Sequence, residues 1–331
     1  MEAPSPRANT KTPRAHTCVT LFVPGSYASV GELAARLGGS FRVSADETSL
    51  EGDSFTSRLE WEDNPHDGSF GRAFSFGTCS QGEIRTIDAA RGAVVLHLPV
   101  ELHTFRAEIA ALASALQAAG ALAFRIEQSK LGFTAEAWLA RVRAQEPIAL
   151  LRLAVVTLTS AGAARTLGMH TFSLPDVEIE ASGSEASQWL DVMTLFQIDE
   201  DPVFGSGHTF APDSETPRRV MEWWPDTAYP RGHLCHNPFG LFRLGAPGGR
   251  GRPQSKLRPT FIPPLVVLLE AARQQKGSPL TAEEVEKLRD GAACIAMDPR
   301  HARELERTRG YADLDPDRAA ECWRAIEGGS S

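Results

Sequence analysis

An α+β fold is predicted: a mixed sheet with packed helices, followed by a small helical C-terminal module. Three observations predict it. Short segments that alternate apolar and polar residues, bounded by Gly, Pro and Asn, recur between residues 18 and 98. Strand-like and helix-like periods then alternate from Ala93 to Leu158. Beyond Pro263, cap residues, apolar stripes and stop glycines mark a run of short helices.

Residues 1–17 read as a basic, disordered tail without an apolar core, so no secretory leader is predicted. Cys18 to Val23 reads as a strand, with Pro24-Gly25-Ser26 as its turn. Ser29 to Leu37 reads as a short helix closed by Gly38-Gly39. Phe41 to Asp46 and Phe55 to Trp61 read as strands, and Asn64 to Gly68 as a turn. Ala93 to Leu98 is a strand. A helix follows with Phe105, Ile109, Leu112 and Leu116 on one stripe and Gly120 past its end. Leu122, Phe124 and Ile126 alternate with polar or small residues, as in a half-buried strand. Thr134 caps a helix carrying Trp138, Leu139 and Val142. Pro147 is expected to end it, and Ile148 to Leu158 to return as a buried strand. Such crossovers predict that part of the sheet is parallel.

Val177 to Glu180 continues as a strand, and residues 185–198 as a helix with Trp189, Val192, Met193 and Phe196 inward. The Gly/Pro-rich residues 246–262 read as a linker between a domain over 18–245 and a helical module over 263–331. Within that module Leu265 to Gln275 is helical. Thr281-Ala-Glu-Glu284 forms a capping box, with Leu280 and Val285 as its staple. Val285, Leu288, Ala292 and Ile295 form a stripe. Asp298-Pro299 and Asp315-Pro316 start two more helices.

Composition narrows the function. The 331 residues are 42% hydrophobic, enough for a sizeable core, and carry a net charge of −8. That charge argues against nucleic-acid binding, which needs a concentrated basic surface. The longest apolar run, Ile148 to Leu158, is interrupted by Arg152 and is far shorter than the ~20 residues of a membrane helix. Five scattered cysteines without a CxxC pair suit a reducing cytoplasm. A protein partner is expected, with no nucleic acid, no membrane and no cofactor.

The densest chemistry lies between Leu167 and Phe210. His170, Asp176, Glu178 and His208 fall there, and His233, Cys235 and His236 follow in one loop. Imidazoles, a thiol and carboxylates are the ligand types of zinc, and Asp176 with Glu178 can act as a proton-transfer pair. A metal-assisted hydrolase is therefore one alternative, set against loops whose polar rings bond to their own backbone. No Gly-x-Ser-x-Gly elbow and no phosphate loop is present. Trp223, Trp224, Tyr229, Phe239 and Phe242 offer an interaction surface, the wall of a small-ligand pocket, or a seal on the core.

The run Leu167-Gly-Met-His-Thr-Phe-Ser-Leu-Pro-Asp-Val-Glu-Ile179, a helix, and Gly205-Ser-Gly-His-Thr-Phe210 resemble an uncharacterised bacterial family, domain of unknown function 4261. The resemblance covers about residues 18–245 and implies no activity. Pro279 to Asp290, Arg309 to Pro316 and Cys322-Trp323 resemble a short module of uncharacterised Gram-negative proteins. Similar proteins sit near secretion-system or toxin–immunity genes. The absence of coherent catalytic motifs and the scattered cysteines lead us to expect a cytoplasmic, non-enzymatic interaction protein, and the resemblance implies an immunity or accessory role beside a secreted toxin or a type VI-like secretion system.

Overall fold

The structure is a computed structural model. It describes residues 19–160, 162–200, 202, 204–213, 215–248, 258–261, 263–297 and 299–329. The tail expected over 1–17, Cys18, and residues 249–257 of the expected linker lie outside the described residues. The chain is α+β, with two sheets and packed helices.

The first sheet draws on residues 19–134. Its strands are β1 (Val19–Gly25), β2 (Arg42–Val43), β3 (Ser49–Glu51), β4 (Thr56–Asp63), β5 (Gly92–Leu98), β6 (Ala123–Ile126) and β7 (Leu131–Thr134), in the order β2-β3-β4-β5-β1-β6-β7. Every pairing is antiparallel. The predicted crossover exists, because β5 and β6 run the same way, but β1 lies between them. The expected Phe41–Asp46 strand shrinks to β2, because Ser44, Asp46 and Ser49 tie the chain into a turn.

Alternation decides which face of this sheet is covered. Val19, Leu21, Val23, Val94, Leu96 and Leu98 point to one side. There they meet α1 (Val30–Arg36), α4 (Arg106–Ala118) and α5 (Ala135–Arg143) through Leu33, Ile109, Leu112 and Trp138. Burying each such side chain stabilises by about 1.5–3 kcal/mol. The opposite face is only half covered. Phe22, Ala93 and Ala123 pack under α2 (Ser69–Ala73) and α3 (Gln81–Asp88) through Phe70, Phe74 and Ile87. The α3 start is a capping box, Ser80 with Glu83.

The expected strand over Ile148–Leu158 is mostly a helix, α6 (Pro147–Ala154). Pro147 opens it at a position where its missing amide costs nothing. Leu150, Leu151, Leu153 and Ala154 are buried, and Leu and Ala favour helix. The β-branched remainder becomes β8 (Val156–Ser160).

The second sheet holds β8, β9 (Ala163–Leu167), β10 (Asp176–Ile179), β11 (Thr209–Phe210), β12 (Arg219–Trp224), β13 (Leu241–Pro247), β14 (Arg258–Phe261) and β15 (Cys294–Met297), in the order β14-β15-β11-β12-β13-β10-β9-β8. Its parallel pair is β10 with β13. The long helix α7 (Gly183–Glu200) packs Trp189, Met193 and Phe196 on Val177, Phe210, Phe242 and Leu244.

The expected linker over 246–262 is part of this sheet at both ends, as the end of β13 and as β14. The segment 263–331 is not helical throughout. It supplies α8 (Leu265–Lys276), α9 (Ala282–Gly291), α10 (Pro299–Arg309) and α11 (Ala319–Gly329), but Ile295 lies in β15, not on a helical stripe. β15 pairs with β11 and with β14, so this segment is stitched into the sheet. The capping box at Thr281 is present, with Glu284 N donating to Thr281 Oγ1 at 3.2 Å and Thr281 N donating to Glu284 Oε2 at 2.7 Å. No helix among the described residues is long and apolar enough to cross a membrane.

Candidate functional site

Two polar clusters stand out, and they differ in their access to solvent. The first sits where β9, β10 and the loop 225–240 meet. Gly168 leads into it with φ +117, and a Cβ there would lie 2.2 Å from the Ala154 carbonyl. That geometry lets Met169–Phe172 turn sharply as a short 3-10 helix ahead of β10.

Asp176 is fully buried at the start of β10. Its carboxylate accepts from Asn237 Nδ2 at 2.9 Å, Thr166 Oγ1 at 3.1 Å and the Met169 amide at 3.3 Å, and Arg165 lies 3.9 Å away. Burial pushes its pKa up to about 6, against the pull of Asn237 and Arg165. Asp226 accepts from Arg165 Nη2 at 2.9 Å and from the amides of Asn237 and Ala228. Burial raises the Asp226 pKa, but the Asn237 and Ala228 amides and Arg165 outweigh it and hold the carboxyl below its usual value. Arg165, Asp176, Asp226 and Asn237 thus bind the 225–240 loop across the sheet. Each charge is met by an opposite charge or an amide, as burial requires.

His170 is buried beside them. Its Nε2 bonds to the Leu234 carbonyl at 3.0 Å, so Nε2 carries the proton. Burial lowers its pKa to about 4, which keeps the ring neutral at neutral pH. His236 Nδ1 bonds to the Tyr229 carbonyl at 3.1 Å and lies 3.7 Å from Asp226. His233 Nδ1 accepts from the Cys235 amide, and its ring stacks on Tyr229 with centroids 5.0 Å apart. The Cys235 thiol is buried, and burial pushes its pKa up. His208 lies in the turn before β11, where its Nδ1 accepts from the Gly205 amide.

The convergence of these imidazoles that a metal-assisted hydrolase would need is not observed among the described residues. Each binds a backbone group of a loop, and among the described residues no group of three His, Cys, Asp or Glu is placed to hold a metal ion. Asp176 and Glu178 do not form a pair either. Glu178 bonds to Arg243 at 2.6 Å, outside the Asp176 cluster. The five aromatics do not share a surface. Phe242 is in the core against Phe204. Trp223 donates to the Phe239 carbonyl. Trp224 is 44% exposed beneath the Arg243 guanidinium.

The second cluster was not singled out by sequence. It surrounds a cavity of about 560 Å³ on the half-covered face of the first sheet. Phe22, Val95 and Phe70 form its apolar floor, and Leu234 overhangs it. In β4, Arg58, Glu60 and Glu62 alternate with the inward Leu59 and Trp61, so the acids face the cavity. The signal was present in the alternation Arg-Leu-Glu-Trp-Glu. On the far side, Glu127 is held by Arg125 and Lys130, both at 2.6 Å, and Arg125 also donates to the Ala73 carbonyl. Glu60 pairs with Arg58. Glu62 forms no hydrogen bond or ion pair among the described residues. Burial and the Glu127 charge raise its pKa, opposed by Arg125.

His97 completes this wall. Gln128 Nε2 donates to Thr20 Oγ1, and the same hydroxyl bonds to His97 Nδ1 at 3.3 Å. His97 Nε2 lies 3.6 Å from Glu60. Burial, with Arg58 nearby, lowers the His97 pKa against the pull of Glu60. The cavity is therefore lined by the carboxylates Glu60, Glu62 and Glu127, the guanidinium groups of Arg72 and Arg125, the His97 ring and an apolar floor. No family model, no curated protein and no solved structure matches this chain.

Proposed function

We propose that this chain is a non-enzymatic interaction protein, and that it receives a basic side chain of a protein partner in the cavity on the first sheet. The observation that carries the reading is Glu62, a carboxylate without a partner among the described residues, set beside Glu60 over an apolar floor. A lysine or arginine fits such a place. Its charge meets the carboxylates and its aliphatic stem lies along Phe22 and Val95. The net charge of −8 steers a basic surface toward this one.

The resemblance of the C-terminal segment prompts a finer proposal. The partner is a secreted bacterial toxin or secretion-system component, and this chain is its cytoplasmic immunity or accessory protein. Titration calorimetry with basic products of adjacent genes tests it. Glu60→Gln with Glu62→Gln should weaken the complex tenfold or more. Equal affinity for the double variant and the unaltered chain would count against the site.

A second reading rests on the cavity volume, which falls within the ~300–1,000 Å³ of small-ligand sites. In that reading the cation belongs to a free amine. Saturable binding of agmatine alone, with no protein partner present, separates the two.

A further inference from the structure

Four strand edges bound the two sheets, and three of them are blunted. β2 is two residues long. β7 is bridged by the Gly77 segment at Gly132. β14 contains Pro259, which has no amide to donate. The fourth edge, β8, differs. Among the described residues it pairs with β9 alone. Its sequence, Val-Thr-Leu-Thr-Ser, has none of the charges or prolines that usually protect an edge.

The β8–β9 hairpin shows which backbone groups are free. Its last pair is Ser160↔Ala163, with residues 161–162 between them. A two-residue hairpin closes on a hydrogen-bonded pair. Val156, Leu158 and Ser160 therefore bond to β9, and the amides and carbonyls of Thr157 and Thr159 point away from the sheet.

We propose that β8 pairs with β8 of a second copy of this chain, antiparallel, about a two-fold axis at Leu158. In that register Thr157 of one copy faces Thr159 of the other. Both residues carry outward groups, so the two symmetric pairs exchange four main-chain hydrogen bonds. A slip by one residue sets Thr157 against Leu158, whose groups already bond to β9, and the ladder is lost. A slip by two keeps only one of the pairs. The strand is thus complementary to itself in one best register, as a two-fold interface requires.

The side chains agree with this register. The two Leu158 residues meet in the closely spaced, non-hydrogen-bonded position of an antiparallel ladder. Leu158 is 38% exposed and borders a groove of about 230 Å³ shared with Ala163, Ala164 and Tyr229. A two-fold axis normal to the sheet keeps both leucines on that face. The flanking charges, Arg165 and Glu178, are of opposite sign, so no local field opposes the contact. A five-residue edge buries less than the ~1,200–2,000 Å² of a standard interface. The dimer is therefore weak, and the net charge of −8 makes it stronger in salt.

Sedimentation velocity of the full chain from micromolar to several hundred micromolar tests this. The weight-average coefficient should climb from monomer toward dimer. Leu158→Lys and Thr157→Pro should each raise the dissociation constant at least tenfold. Hydrogen exchange of the unaltered chain gives a readout without mutation, because the Thr157 and Thr159 amides should exchange more slowly at high concentration. A chain that stays monomeric throughout overturns the proposal. So does a dimer that both variants form equally well, or one that leaves those two amides unprotected.

Discussion

The two polar clusters use the same residue types and put them to opposite use. At the β9–β10 junction, Arg165, Asp176, Asp226, Asn237 and His170 are inside, and their partners are one another and the backbone. On the first sheet, Glu60, Glu62, Arg125 and His97 line a cavity that solvent reaches. Burial decides the difference. An interior charge must be matched within the protein, whereas a carboxylate at a cavity mouth can wait for an outside cation. Residue chemistry alone does not distinguish a clamp from a receptor.

Removing the C-terminal strand tests the comparison most severely. A chain ending at Gly248 loses β14, β15 and the core contacts of Ile295, Ala302 and Leu305 with Phe210. Deleting those buried side chains should cost on the order of 5 kcal/mol or more. Hydrogen exchange should show second-sheet amides exposed while Leu21, Val94 and Leu96 stay protected.

Arg165→Ala should come next. It leaves Asp226 and Asp176 buried without their cation, a loss of about 3–5 kcal/mol in urea unfolding. Glu62→Gln, at the open cavity, supplies the contrast described below.

The pH dependence separates the members of the buried cluster. The Asp176 pKa is raised to about 6, so the folded state holds the proton more tightly than the unfolded chain. Its contribution to stability therefore falls as pH rises between roughly 4 and 6. The His170 pKa is lowered to about 4 from 6.5, so the unfolded chain binds the proton more tightly. Its contribution rises with pH over nearly the same window, and the two slopes oppose each other. The stability advantage of the unaltered chain over His170→Gln should therefore grow by about 3 kcal/mol from pH 4 to pH 6.5. Urea unfolding across that range reads it, and a constant gap would remove His170 from the account.

The smallest effect on stability belongs to the cavity. Glu62→Gln should change unfolding by no more than about 0.5 kcal/mol, because no protein partner is lost. It should still weaken binding of a basic partner several-fold by calorimetry. A large stability loss would place Glu62 with the clamp instead.

Much of the fold was legible from local signals. Ser29, Thr134 and Thr281 cap the helices their positions suggested, and the alternation in β5 and β6 gives their faces. The misreadings have a common cause. Ile148 to Leu158 is apolar throughout, and its period cannot separate a buried helix from a strand. β15 is four residues whose strand state comes from β11 and β14, far away in sequence. The choice between a reactive site and a loop held by its own polar groups was likewise not legible locally. His170 and Asp176 look reactive in a row of letters, and only Asn237 and Leu234, some sixty residues later, show them to be bonded. His97 gave no signal because its orientation depends on Thr20 and Gln128.

The position of β15 also sets an order of events during synthesis. The first sheet is complete once residue 134 has left the ribosome, since all its strands precede that point. β11 joins β12 to β15, so the second sheet stays unfinished until residue 297 is available. For the length of chain between those two points, the second sheet is incomplete and carries an open edge. Strand edges that wait for a late partner are where a nascent chain is exposed to misassembly.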